Sequence, residues 1–212
     1  MMSKKNKFPN KKYQNLKSFF NDYFVDLNLS LKSIKFENFK KIIMILKKNY
    51  IQKNRKIFIC GNGGSAALSE HFACDHQKIL FETKKLKPTI ISLVSNSALS
   101  TAISNDVNYS SIFSEQLKQI AKSGDILIVI SSSGNSKNVV KAIKWANKNK
   151  MTSISFTGFD GGVVKKISKY NLHIESNNHG VIEANHQSII NIISQYIKME
   201  VLNLNQIRKI KF

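Results

Sequence analysis

A chain of 212 residues with 42% hydrophobic content has room for one well-cored domain with an added helical element, not for two enzymatic domains. Its 33 basic and 13 acidic residues leave +20 net charge, but no lysine-dense tract follows the first dozen residues and no aromatics interleave, so nucleic acid is not the expected partner. No apolar run approaches the ~20 residues of a membrane span and no apolar signal segment follows the basic start, so a cytoplasmic protein without a membrane partner is expected.

In chain order, residues 1–11 read as a disordered basic tail. Tyr13, Leu16, Phe19, Phe20, Tyr23, Phe24 and Leu27 then recur at helical spacing, and so do Phe36, Phe39, Ile42, Ile43, Leu46 and Tyr50. Two amphipathic helices therefore precede the first strand. The aromatic-rich first helix needs a large surface to pack on, and a second copy of the chain is the natural candidate.

From residue 56 strands alternate with helices. Strands are predicted over 57–60, 88–94, 125–130 and 151–157, with a short edge-like strand over 171–175. A helix begins at Ser65, a loop and short helix fill 95–106, and further helices cover 110–122, 139–147, 163–169 and 181–204, leaving a tail at 207–212. Such alternation implies a parallel sheet with right-handed crossovers and helices on both faces. Cys60 and Cys74 read as buried thiols, and His76, His173 and His179 as surface or loop residues.

Two of the turns carry chemistry. After the strand at 57–60 comes Gly61-Asn62-Gly63-Gly64-Ser65, where glycines let the backbone approach a ligand and the unpaired amides of a helix start favour an anion. After the strand at 125–130 comes Ser131-Ser132-Ser133-Gly134-Asn135-Ser136, a second anion cradle built of hydroxyls and amides. Neither has the spacing of a dinucleotide or P-loop motif. Both fall at the carboxyl ends of parallel strands, where such sheets bind ligands. A phosphate is the expected guest.

These motifs, with His71-Phe72-Ala73, Asn105-Asp106, Ile112-Phe113 and the turn from Thr157 to Gly162, resemble the sugar isomerase (SIS) domain of bacterial phosphoheptose isomerases, in consistent order over residues 12–204. The resemblance implies an α/β fold, a three-layer α/β/α sandwich with a five-stranded parallel, flavodoxin-like sheet preceded by N-terminal helices. It makes residues 12–206 a single SIS domain that includes N-terminal oligomerisation helices. It also implies a cytoplasmic homotetramer converting sedoheptulose 7-phosphate to D-glycero-D-manno-heptose 7-phosphate for surface-polysaccharide precursors, often with zinc and without a nucleotide cofactor.

By position, the resemblance puts Asn62, Gly63 and Gly64 against the substrate, Asn105 and Asp106 on its hydroxyls, and Ser65, Ser131, Ser132, Ser133 and Ser136 on its phosphate. The aldose–ketose proton transfer needs a base, an acid and donors to steady the enediol oxygens. Here the sequence departs from the family pattern. Asp75 stands at the family's Glu position, Glu183 at its Gln and Asn191 at its His. Asp75 and Glu183 are then the expected acid/base pair, with His186 as the nearest replacement imidazole. A metal site of altered make-up would draw on His71, Asp75, Glu183 and Asn191. Two alternatives accompany this reading: an isomerase of a different sugar phosphate, and a non-catalytic phosphosugar-binding SIS protein acting through a protein partner, of the type that associates with the replication initiator.

Overall fold

The computed structural model describes residues 8–52 and 55–210. Strands β1 (Lys56–Gly61), β2 (Thr89–Ser92), β3 (Ile126–Ser131), β4 (Thr152–Thr157) and β5 (Tyr170–His173) form one all-parallel sheet in the order β2-β1-β3-β4-β5. The helices are α1 (Leu16–Lys32), α2 (Phe36–Gln52), α3 (Gly64–Thr83), α4 (Ser97–Asp106), α5 (Ile112–Ile120), α6 (Lys137–Lys148), α7 (Gly162–Ile167), α8 (His179–Val201) and α9 (Leu204–Lys209).

The strands are apolar on both faces because both are covered, and the period-two alternation divides their side chains between two cores. Ile57, Ile59, Ile126, Ile128 and Ile130 enter one core with residues of α2, α3 and α8, among them Leu46, Phe72 and Ile189. Phe58, Cys60, Leu127 and Val129 enter the other with Phe113 of α5, Ile143 of α6 and Val164 of α7. The result is the expected three-layer α/β/α sandwich. From β1 the chain moves through α3 to edge strand β2, then returns past β1 to β3, so the direction of winding reverses between β1 and β3. That reversal opens the crevice in which such sheets place their ligands.

Helix α1 starts at Asn15, whose side chain accepts from Ser18 N at 2.9 Å. It is held to α8 by Asn185 Nδ2, which donates to Ser30 Oγ at 2.8 Å and to Leu27 O at 3.1 Å. The edges of several expected elements move. Phe8 is buried against Tyr13, Phe19 and Tyr23, and its carbonyl accepts from Asn178 Nδ2, so the chain is packed from residue 8 rather than from 12. The expected tail residues 1–7, 211 and 212 lie outside the described residues. The last helix ends at Val201 rather than 204, because Asn203 and Gln206 exchange side-chain and backbone hydrogen bonds in a capping box that starts α9 through residues expected to be a tail.

Candidate active site

Strand β1 ends at Gly61 and α3 begins three residues later, and both facts follow from the glycines. A Cβ at Gly61 would lie 2.6 Å from Ser65 O, and Gly63 holds φ +54°. The first turn of α3 can then fold directly back on the strand end and present its amides and the positive end of its dipole to the crevice. Ser65 is buried in that turn. Asn62 is fixed by a reciprocal pair of 2.9 Å amide hydrogen bonds with Asn138 of α6, and the Tyr109 hydroxyl donates to its Oδ1 at 3.0 Å. Asn138 and Tyr109 were not legible as site residues, since neither belongs to a motif and only the fold brings them to the loop.

The second loop leaves β3 at Ser131. Gly134 takes φ +64°, and a Cβ there would fall 2.0 Å from Gly161 O, so the loop rests on the Gly161-Gly162 turn with no side chain between them. Gly158 N donates to Ser132 O at 2.9 Å and Val164 N to Gly134 O at 2.9 Å, which fixes the loop from behind. In front of this support the hydroxyls differ. Ser131 Oγ accepts from Gly134 N and Ser133 Oγ from Asn135 N, and Ser136 starts α6 without a side-chain cap bond. The Ser132 hydroxyl is buried and has no hydrogen-bond partner among the described residues. A buried orphan hydroxyl is costly. A phosphate oxygen would relieve it.

Helix α8 supplies the third side. Asn178 caps its start, accepting from Val181 N at 3.1 Å. One turn later the Glu183 carboxylate lies over Gly64, where a Cβ would meet Oε1 at 2.5 Å. A half-buried carboxylate thus stands at the first residue of α3, facing the helix terminus that attracts negative charge. The crevice therefore combines anion donors with one carboxylate whose oxygens have no hydrogen-bond donor among the described residues.

Comparison with known proteins decides what such a crevice belongs to. The SIS domain family matches residues 20–158. A probable phosphoheptose isomerase of Thermoplasma acidophilum is 38% identical over 163 residues, 76% of this chain and 88% of its own length. The chain belongs to the phosphoheptose isomerase family of SIS-domain proteins. A phosphoheptose isomerase of Neisseria meningitidis is 37% identical over 155 residues, 72% of this chain and 78% of that protein. The structure of phosphoheptose isomerase GmhA from Neisseria gonorrhoeae superposes with a TM-score of 0.78 at 29% identity, covering 87% of this chain and 100% of that one.

Against the phosphoheptose isomerase pattern the remaining residues divide. Asn105 and Asp106 end α4, exposed, with Asn105 Nδ2 donating to Asp106 Oδ1 at 2.9 Å. His71 and Asp75, one turn apart on α3, form a 2.9 Å pair. Asp75 lies eleven residues beyond Gly64, about 16 Å along the helix. Within one chain, then, Asp75 does not share a site with Glu183. Asn191 Oδ1 accepts from Gln187 Nε2 at 3.0 Å. Among the described residues no three His, Cys, Asp or Glu side chains converge on one point. His71, Asp75 and Glu183, three of the four residues expected to hold zinc with Asn191, are therefore not brought together within one chain.

Three histidines and a cysteine also depart from expectation, the first being His173, which is no loop residue but lies in β5, half-buried, with Nδ1 3.1 Å from Thr157 Oγ1. His186 does not reach the crevice as a replacement imidazole: it is fully buried beside Phe156, with Nε2 3.3 Å from Thr157 O. Burial pushes its pKa down to about 4, so the imidazole is neutral. His76 is no surface residue either. It is fully buried, stacked on Phe72 at 3.8 Å and bonded through Nδ1 to the Tyr50 hydroxyl, and burial lowers its pKa to about 3. Cys60 is buried as expected, whereas Cys74 is exposed because it falls on the outer face of α3. No helix of the described residues is long and apolar enough to cross a membrane.

Proposed function

We propose that this chain is a phosphoheptose isomerase that converts sedoheptulose 7-phosphate to D-glycero-D-manno-heptose 7-phosphate, a precursor for surface polysaccharide, in the cytoplasm. The observation that carries the reading is the buried, unpartnered Ser132 hydroxyl, set on the same crevice as the Glu183 carboxylate. Ser65, Ser131, Ser132, Ser133 and Ser136 take the phosphate, and the amides of the 61–65 loop face the other end of the sugar. Like the family, the reading calls for no nucleotide cofactor.

Glu183 is the proton carrier. Its carboxylate takes a proton from C1 of the ketose, the C–H electrons form the C1–C2 double bond, and the carbonyl oxygen gains negative charge. Amides at the start of α3 steady that enediolate oxygen. The O1 proton passes to the C2 oxygen, the electrons left on O1 form the C1 carbonyl, and those of the C1–C2 double bond take back at C2 the proton held by Glu183. This route uses Glu183 alone of the expected acid/base pair, since Asp75 is bound to His71 at a different level of α3.

Assembly as a homotetramer belongs to the same reading. It is supported by the exposed Leu16, Phe20, Phe24, Val25 and Leu29 of α1 and by the groove of about 770 Å³ between α2 and α8, with Phe36, Met44, Ile51 and Tyr196 along it. Light scattering giving a monomer at micromolar concentration would remove it. The catalytic test is NMR in deuterated water with sedoheptulose 7-phosphate: deuterium next to the carbonyl together with an aldose product is the expected outcome. Binding without exchange would instead favour a phosphosugar-binding role.

A further inference from the structure

His186 is a buried titratable side chain that the proton transfer does not use. Its Nε2 faces the carbonyl of Thr157 at 3.3 Å, so that nitrogen carries the hydrogen, and its Nδ1 is buried without a partner among the described residues. Thr157 O also accepts from Ile174 N at 2.8 Å. Beyond the carbonyl, the same peptide plane ends in Gly158 N–H, which donates to Ser132 O at 2.9 Å. One rigid peptide group is thus held by His186 on one side and holds the backbone of Ser132 on the other.

The rest of the first turns of α8 reinforces this geometry. Ile182 packs on Gly158 so closely that a Cβ there would lie 2.5 Å from it, and Glu183 lies on Gly64. Residues 182, 183 and 186 therefore tie α8 to the end of β4 and to the 61–65 loop, and through the Thr157–Gly158 peptide to the 131–136 loop. Only His186 does so by a hydrogen bond to the peptide that supports Ser132. Donation into a peptide carbonyl also polarises its N–H, strengthening the next bond in the chain.

We propose that His186 is a positioning residue: through the Thr157–Gly158 peptide it keeps the phosphate-binding Ser132 in register with Glu183. The proposal rests on the phosphate role given to the Ser132 loop in the reading above. The experiment compares the full-length wild type with His186→Gln, whose amide reaches the Nε2 position, and with His186→Asn and His186→Leu, which do not reach it or cannot donate. Inorganic phosphate affinity is measured by calorimetry, and kcat and KM are measured with sedoheptulose 7-phosphate. The expected result is a roughly tenfold loss of phosphate affinity in the asparagine and leucine variants, with the glutamine variant within about twofold of wild type.

Phosphate affinity decides the proposal even if the wild type isomerises nothing, because turnover tests only the isomerase reading. If the leucine variant does not fold, the asparagine and glutamine variants still separate reach from bulk. Affinity unchanged in the variants that lose the donor, or equally lost in the glutamine variant, overturns the proposal. Where the wild type turns over, a glutamine variant that keeps wild-type phosphate affinity but has no turnover also overturns it, since the imidazole would then be carrying a proton itself.

Discussion

The carboxylate of Glu183 lies so close over Gly64 that a Cβ built on the glycine would stand 2.5 Å from Oε1 and 2.8 Å from Cδ. Residues 119 positions apart in the chain thereby form one wall of the crevice. Gly64 is required here for lack of a side chain rather than for an unusual backbone angle, since its φ is not positive.

Gly64→Ala should therefore fold. The displaced group is the end of a flexible side chain, and the stability cost should stay near 1 kcal/mol. Activity should fall by about 10²-fold or more as the carboxylate is pushed off its position, because a shift of about 1 Å can cost that much. Thermal melting and kcat/KM measured side by side check both halves. Wild-type turnover in a folded alanine variant would remove Glu183 from the reaction.

Glu183→Gln keeps the shape and removes the proton acceptor. Solvent deuterium incorporation into sedoheptulose 7-phosphate should drop by about 10²–10⁴-fold, with the circular dichroism spectrum unchanged. Loss of fold without loss of exchange in the surviving soluble fraction would contradict the assignment.

Ser132→Ala separates stability from binding. The hydroxyl is buried and unpartnered in the free protein, so removing it breaks no hydrogen bond and should leave the melting temperature unchanged or slightly raised. Sugar-phosphate affinity should weaken by about 1–3 kcal/mol, the worth of a hydrogen bond to a charged acceptor. Calorimetric titration finding equal affinity would place the phosphate elsewhere.

Stability should depend on pH through the buried histidines. Burial lowers the pKa of His76 to about 3 and of His186 to about 4, and half-burial takes His173 to about 4. Free histidine titrates near 6.5. Between that value and the folded pKa the unfolded chain binds protons that the folded chain refuses, so stability falls as pH drops. The contribution is complete above about pH 6.5 and is lost progressively toward pH 4, at of order 1–3 kcal/mol for each fully buried ring. Urea unfolding at pH 7.5, 6.5, 5.5 and 5.0 should show this decline, and His186→Gln should make it shallower. Midpoints level across that range would contradict it.

Much of the fold was readable because it repeats short-range rules. Continuous apolar runs such as 126–130 are explained by cover on both sheet faces, Gly61 and Gly134 mark places where the chain must turn without a Cβ in the way, and Gly63 a place where it turns through a positive φ. Helix ends were less legible. The stop at Val201 depends on Asn203 and Gln206 choosing each other over a continued helix, a competition of local hydrogen bonds that periodicity does not register.

The site was half legible for a related reason. The serines and glycines of each loop are neighbours in sequence, so their joint role shows in the order of residues. Which distant side chains meet them is set by how α3 and α8 slide against each other. That packing brings Glu183 to Gly64, leaves Asp75 about 16 Å up the helix with His71, and buries His186 under Thr157.

The sequence by itself determined the strand–loop–helix units and the two phosphate-type loops, since these arise from contacts within a few residues. The tertiary structure alone decided which carboxylate faces the crevice and which imidazole is buried and neutral. Those outcomes depend on the register between helices, where displacement by one turn, about 5.4 Å, exchanges one side chain for another.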